Sequence, residues 1–226
     1  MRSKSPTIQP SGVWLLWAVI GLEISLGLIY LWGIVVRGKA YPLFNMDGQM
    51  TIPSLIQALQ LLMIGLIALS LLLFQRHTSL PPSRLFCGAI AVLFSYGAVD
   101  EVFKFHLQLS RLLNTSDHKD WMPIYLGIGV STLVIFHRDF IAIWRFYPKA
   151  IAFVALGMGI FFLGGFCGEV VKIVVFQLNQ GGLIPVVVEK VRVAVEETSE
   201  LVGESLTIYG LCLFVAKRWD VLKAKH

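Results

Sequence analysis

Long apolar stretches separated by short polar connections repeat along nearly the whole chain. Each stretch is close to the roughly 20 residues that an α-helix needs to cross the hydrocarbon core of a membrane. The pattern predicts an all-α fold, an integral membrane bundle that forms a single transmembrane helical domain over residues 1–226. The first stretch is too long for the core of a signal peptide, and we expect it to remain as the first span. The six predicted spans lie at about 13–36, 53–74, 85–106, 121–143, 150–178 and 191–215.

The composition of the chain agrees with a place in the membrane. Hydrophobic residues make up 56% and charged residues 15% of the chain, whereas soluble domains carry about 25% charged residues. The net charge of +5 comes from basic residues spread over loops and ends, which is typical of membrane topology and argues against a nucleic-acid-binding surface. The expected partners are the lipid bilayer and either further copies of the chain or other subunits of a membrane complex.

The distribution of lysine and arginine predicts the orientation. An even number of spans places both termini on the same side of the membrane. Basic residues are more numerous in the loops and ends on that side, and positive charge favours the cytoplasm. The sequence therefore predicts a multi-pass protein of the plasma (inner) membrane with cytoplasmic N- and C-termini.

Acidic residues interrupt the apolar stretches at a similar depth. Asp100 and Glu101 lie near the end of the third predicted span, and Glu169 lies in the fifth. On the predicted topology these positions fall in the outer half of the membrane, as does a run of four glutamates at the start of the sixth span. An ionised carboxylate costs roughly 2.5–3.5 kcal/mol at the bilayer centre. Such groups are kept where they face water, a cation or a partner charge, so their convergence predicts a polar site in the outer leaflet.

The run of glutamates consists of Glu196, Glu197, Glu200 and Glu204. The last three follow i, i+3, i+7 spacing and share one helix face. A simpler interpretation is a solvated first turn outside the membrane, where negative charge is favourable, with only Glu204 buried. In that case the remaining apolar part, 201–215, would be too short to cross the membrane.

The segments 97–104 and 165–172 share the pattern Gly-x-x-x-Glu-Val-x-Lys. In each segment the glutamate and the lysine are three positions apart, so they can form an ion pair on a helix. The pattern is either the trace of an internal repeat, as in some transporters, or a coincidence in a sequence rich in Gly and Val. In both cases each lysine, Lys104 or Lys172, is predicted to neutralise the glutamate of its own segment.

The carboxylates together with the imidazole of His106 indicate a metal site, because such ligands suit iron, manganese or zinc. On a regular helix Glu101 and His106 lie about 140° apart, so a helix end or a π-bulge is needed to bring them together. The predicted metal ligands are Glu101, His106, Glu169, Glu197, Glu200 and Glu204. The further residues predicted at this polar site are Asp47, Asp100, Lys104, Lys172 and Glu196.

Four polar motifs follow one another along the chain. They are Asp47 to Ser54 before the second span, Asp100-Glu101 with His106, the lone Glu169, and Glu196-Glu197 with Glu200 and Gly203. Their order and spacing resemble those of a widespread set of uncharacterised prokaryotic multi-pass membrane proteins with the pattern DExxxxH followed by EExxExxG. In that family a glutamate follows the histidine, where this chain has Leu107. The resemblance implies that the motifs form one constellation, and it implies no function.

Three functions agree with these patterns. The first is the binding of a metal ion by the carboxylate and histidine cluster, as in helical bundles that hold metals between facing helices; metal-dependent catalysis would be a further step. The second is a transporter or channel for protons or cations, which uses intramembrane carboxylates. The third is a structural or assembly subunit in which Glu–Lys pairs join helices. We place metal binding first, because a cation offsets the cost of clustered negative charge.

Overall fold

A computed structural model describes residues 10–74, 80–106, 108, 121–178 and 183–224, excepting the side chains at 10–11, 121–122, 166–167 and 169–186. The described residues form seven α-helices and no strand. The helices are α1 (Pro10–Arg37), α2 (Ile52–Phe74), α3 (Arg84–Phe103), α4 (Trp121–Ile135), α5 (His137–Phe146), α6 (Pro148–Leu178) and α7 (Leu183–Lys223), with a short 3-10 turn at Pro42–Phe44.

Five of these helices are long and apolar enough to cross a membrane, which confirms the predicted class of all-α membrane protein. The helices α4 and α5 pass the same test only as a pair, which is bent by 64°. The fourth predicted span, 121–143, is therefore divided at Phe136. The bundle has six spans only if this bent pair crosses the membrane as one. The five single spans are Gly12–Arg37, Ile52–Phe74, Arg84–Phe103, Pro148–Gly165 and Val187–Lys223.

The break between α4 and α5 coincides with a change in polarity at His137-Arg138-Asp139. The carboxylate of Asp139 accepts hydrogen bonds from the backbone N–H of Ser83 at 2.6 Å and from its hydroxyl at 2.9 Å. Ser83 is also the N-cap of α3. These contacts fasten the first turn of α5 to the connection between α2 and α3, and they explain why α5 leaves the axis of α4.

The clearest differences from the predicted span limits are the end of α3 and both ends of α7, which finishes at Lys223 rather than near 215. The helix α3 ends at Phe103, three residues before the predicted limit, because Lys104 turns the chain. The helix α7 has 41 residues and begins at Leu183, so it is roughly 60 Å long at 1.5 Å per residue. Because α7 runs unbroken through the glutamate run, the interpretation of that run as a first helical turn is wrong.

The helix α7 is the centre of the bundle, because it packs against α1, α2 and α6, while α3 packs against α2. Contact with α6 is closest at two glycines. A Cβ atom added to Gly203 would lie 2.6 Å from the carbonyl oxygen of Gly157, so neither position has room for a side chain. Small residues of this kind let membrane helices approach each other closely.

The interior of the bundle differs at its two ends. At the apolar end, where α2 and α7 finish and α3 and α6 begin, the core consists of Leu71, Phe86, Cys87, Phe136, Ile143, Tyr147, Ala150, Ile151 and Phe214. At the loop end, where α1 finishes and α2 and α7 begin, a smaller cluster contains Leu26, Tyr30, Met46, Val193, Ala194 and Leu201. The outer faces carry exposed large hydrophobic residues such as Trp14, Val35 and Leu85, as expected of surfaces in contact with lipid.

Candidate functional site

Buried and half-buried polar side chains occupy the bundle between its centre and the loop end. They come from α1, α2, α7 and the end of α3, and we call them the polar core. Its members are Glu23, Gln57, Gln60, Asp100, Glu101, Lys104, His106, Glu197, Glu200, Glu204 and Ser205.

The α7 side of the polar core contains two carboxyl groups one helical turn apart. The side-chain amide of Gln57 donates a hydrogen bond of 2.6 Å to Oε2 of Glu200. Glu204 is 2% exposed, and neither of its carboxyl oxygens has a hydrogen-bond partner among the described residues, although Gln57 lies near it. Glu204 is therefore held inside the bundle with the neutral amide of Gln57 near it and with no ion pair among the described residues.

A further carboxyl group, that of Glu23 in α1, lies in a triangle of hydrogen bonds. Its Oε1 accepts from the amide of Gln60 at 2.7 Å and from the hydroxyl of Ser205 at 2.6 Å. The same amide donates to Oγ of Ser205 at 2.7 Å. The other oxygen of Glu23 and the carbonyl oxygen of Gln60 are buried and have no partner among the described residues. The triangle joins three helices at the middle of the bundle.

The α3 side of the polar core is shaped by a left-handed residue. Lys104 has a φ of 50° and a ψ of 46°, and its N–H donates to the carbonyl oxygen of Asp100. This turn folds the chain back, so that the backbone N–H of His106 donates to Oδ1 of Asp100 at 2.8 Å. The Nδ1 atom of His106 lies 2.8 Å from Oδ2 of the same carboxylate. A helix end was predicted to be needed to bring His106 and Glu101 together. The helix does end here, but it places His106 next to Asp100 rather than Glu101.

The ammonium group of Lys104 lies among several carboxylates. Its Nζ is 2.6 Å from Oε1 of Glu101, and both side chains are about nine-tenths buried, which confirms the predicted pairing within this segment. Burial opposes the charge of Lys104, but interactions with Glu101, Glu197 and Glu200 outweigh burial and raise its pKa. The lysine thus connects the end of α3 to the glutamates of α7.

Glu196 lies beside the polar core and is paired with an arginine of its own helix. The guanidinium of Arg192 pairs with both carboxyl oxygens of Glu189 at 2.9 Å and also with Glu196. A Cβ atom added to Gly168 of α6 would lie 2.9 Å from Oε2 of Glu196. The structure therefore places Glu196, predicted at the polar site, in an ion-pair network between α6 and α7.

The loop before α2 caps that helix. The backbone N–H of Thr51 donates to Oγ of Ser54 at 3.0 Å, and the hydroxyl of Ser54 donates to the carbonyl of Thr51 at 3.1 Å. Asp47 is exposed, and the structure does not bring it into the polar core. The loop therefore forms a turn and a helix cap.

Three predicted positions are only partly covered by the structure. The backbone of Glu169 and Lys172 belongs to α6, but their side chains lie outside the described residues, as does the whole of Leu107. One turn earlier on α6, a Cβ atom added to Gly165 would lie 2.9 Å from Oε1 of Glu200. The α6 backbone therefore forms part of the wall beside Glu200.

The described side chains contain no group of three or more His, Cys, Asp and Glu residues arranged to hold a metal ion. Two of the predicted ligands, Glu101 and His106, are instead paired with Lys104 and Asp100. The residues of the polar core that were not among the predicted site residues are Glu23, Gln57, Gln60 and Ser205. The signal that was available is the i, i+3 spacing of the two glutamines in an otherwise apolar span.

The sequence matches the model of a family described as a domain of unknown function, DUF8692, over residues 12–216. This match begins in α1 and ends within α7, so it includes at least part of every helix that can cross a membrane. Neither the curated proteins nor the solved structures contain a match to the chain.

Proposed function

We propose that this chain, which belongs to the family described as domain of unknown function DUF8692, is a proton-coupled membrane transport protein. In this proposal Glu204 takes up a proton and Glu200 passes it toward the membrane surface. The observation that carries the proposal is the burial of Glu204 with both carboxyl oxygens unpartnered.

Glu204 lies in a membrane-spanning helix, where an unpaired ionised carboxylate is unfavourable. A bound proton removes the charge and gives the group a hydroxyl donor. Glu200 lies one turn away, and two neighbouring carboxyl groups are unfavourable when both are ionised. The pair therefore favours a state that holds at least one proton, and Gln57 fixes Glu200 in position to share it.

Polar groups continue from Glu200 toward the loop end. Lys104 interacts with Glu200 and Glu101, and the side chain of His106, 17% exposed, lies beyond them on Asp100. In the opposite direction the core is the apolar cluster described above. Protons exchange with one side of the membrane in this conformation, as a transporter with alternating access requires. On the orientation predicted from the basic residues, that side is the outer face of the inner membrane.

Infrared spectroscopy of the full-length protein in lipid nanodiscs tests this proposal, because a protonated carboxyl group has its own C=O stretching band. We expect the band at neutral pH in the wild type and its loss in Glu204→Gln. The control Asp220→Asn removes an exposed carboxylate of the same helix and should keep the band. In liposomes, Glu204→Gln should also lower proton flux by about two orders of magnitude. A wild type without the band, or flux unchanged in Glu204→Gln, would overturn the proposal.

A second candidate function is the binding of a divalent metal, with iron, manganese and zinc as the expected ions. The observation that favours it is the convergence of Glu101, Glu197 and Glu200 on one ammonium group. A hard cation in the place of that group would have carboxylate ligands from two helices. Metal analysis of the purified protein tests this candidate.

A further inference from the structure

We infer that the bundle holds a binding site for a monovalent metal cation of the sodium type, centred on Glu23. This site goes beyond proton uptake at Glu204, which operates without it. Glu23 lies in the middle of α1 and is 0% exposed. Gln60 of α2 and Ser205 of α7 meet it there, so residues from three helices surround one position at mid-depth.

The hydrogen bonds of Glu23 fix one carboxyl oxygen and leave the other available. Oε1 accepts from both Gln60 and Ser205, whereas Oε2 is buried and has no partner among the described residues. The carbonyl oxygen of Gln60 is also buried without a described partner. The side chains that carry these two oxygens are joined by a direct hydrogen bond, so both belong to the same buried cluster. A carboxylate oxygen and an amide oxygen are ligands that hard cations prefer.

The charge balance indicates a single positive charge. No lysine, arginine or histidine of the described residues forms an ion pair with Glu23. Its hydrogen-bond partners Gln60 and Ser205 are neutral. Glu204, which interacts with Glu23 electrostatically, is neutral while it holds the proton proposed above, so one monovalent cation neutralises the group. A divalent cation would leave an excess charge in the interior of the membrane. Coupling ions in transporters are commonly bound near the middle of the bilayer between helices, which is the depth of Glu23.

The test compares sodium chloride with choline chloride at equal ionic strength, using the full-length protein in nanodiscs. Ligand that binds only the folded state raises the melting temperature. We expect sodium to give a saturable rise of about 2–4 °C that choline does not give, and radiolabelled sodium to bind at one ion per chain. Glu23→Gln should abolish both effects. The control Asp220→Asn should retain them.

A second variant keeps the test decisive if Glu23→Gln does not fold. Ser205→Ala removes only the hydroxyl and should weaken sodium binding by about tenfold, which is one unit in log affinity. Its matched control is Ser25→Ala, because the hydroxyl of Ser25 donates to its own helix backbone. Equal stabilisation by sodium and choline would overturn the inference, as would sodium binding unchanged in Ser205→Ala.

The two proposals fail separately. Loss of the sodium effect together with an intact infrared band of Glu204 would remove the cation site and leave the proton site. Sodium binding by a protein that lacks this band would remove the proton site and leave the cation site. Glu200→Gln, which acts on the proton route, should leave the sodium-dependent rise in melting temperature in place.

Discussion

The two ends of the bundle have interiors of opposite character, one closely packed and apolar, the other polar. At the apolar end, aromatic rings pack edge to face, with Phe86 at 5.5 Å from Phe136 and 5.1 Å from Phe140 between ring centroids. Toward the loop end, carboxyl oxygens of Glu23 and Glu204 are buried without described partners. Close packing stabilises a single conformation, whereas an unpartnered buried acceptor is destabilising. The difference indicates that the apolar end holds the helices together, and it agrees with the proposed binding of protons and cations in the polar core.

The largest effect is expected at the apolar end. Phe214 is 2% exposed and contacts the ring of Phe146 at 5.5 Å, so Phe214→Ala should lower the free energy of unfolding by about 3–5 kcal/mol. Glu204→Met replaces an unpartnered carboxyl group by an apolar side chain of similar volume, and it should leave that free energy unchanged or raise it by about 1 kcal/mol. Unfolding by sodium dodecyl sulfate in mixed micelles measures both.

The control for this comparison is Leu15→Ala, because Leu15 is 67% exposed on the outer face of α1 and should change the free energy of unfolding very little. A loss of stability in Glu204→Met as large as that in Phe214→Ala would contradict the division between the two ends. It would mean that the polar core holds the helices together, which is the structural-subunit function.

The ion pair of Lys104 gives the next effect. Lys104→Met leaves the buried carboxylate of Glu101 without its cation and should lower the free energy of unfolding by about 1.5–3 kcal/mol. The double variant Glu101→Gln, Lys104→Met should recover most of that loss, and a double-mutant cycle measures the coupling. Equal losses in the free energy of unfolding of Lys104→Met and of the double variant would show that the ion pair does not stabilise the fold.

The pH dependence of this pair follows from the direction of the lysine shift. The pKa of Lys104 is raised above its ordinary value by Glu101 and its neighbours, despite burial. Its charge therefore stabilises the fold fully at neutral pH. That contribution is lost only when alkaline pH rises through the pKa of the folded state.

Much of the fold could be predicted from the sequence, because membrane helices are encoded by local apolar length. The limits of α1 and α2 lie within a few residues of the predicted ones. The pairing of Lys104 with Glu101 was also predicted, because it depends only on i, i+3 spacing. The bend at Phe136 was not predicted, because it depends on a contact between Asp139 and Ser83 that are 56 positions apart.

The hydrogen-bond partners of the carboxyl groups could not be predicted from nearby positions in the sequence either. The hydrogen bond from Gln57 to Glu200 spans 143 positions, and that from Ser205 to Glu23 spans 182. Only the packing of α7 against α1 and α2 brings them together. The direction of His106 depends on the left-handed conformation of Lys104, which is uncommon for a residue other than glycine and which the sequence does not mark.

The smallest effect is expected in metal content, and it sharpens the distinction between the proton and metal functions. Because Glu101 is already paired with Lys104, we expect iron, manganese and zinc well below one ion per chain in the purified wild type, measured by inductively coupled plasma mass spectrometry. Lys104→Met removes the resident cation while Glu101, Glu197 and Glu200 remain, so it should raise the affinity for manganese by about tenfold, or about 1.4 kcal/mol.

The control Lys217→Met changes a lysine near the end of α7 and should have no such effect. One metal ion per chain in the wild type, lost in Glu200→Ala, would favour the metal site over the proton site. The polar core would then differ from the apolar end by holding a fixed cofactor rather than a mobile proton.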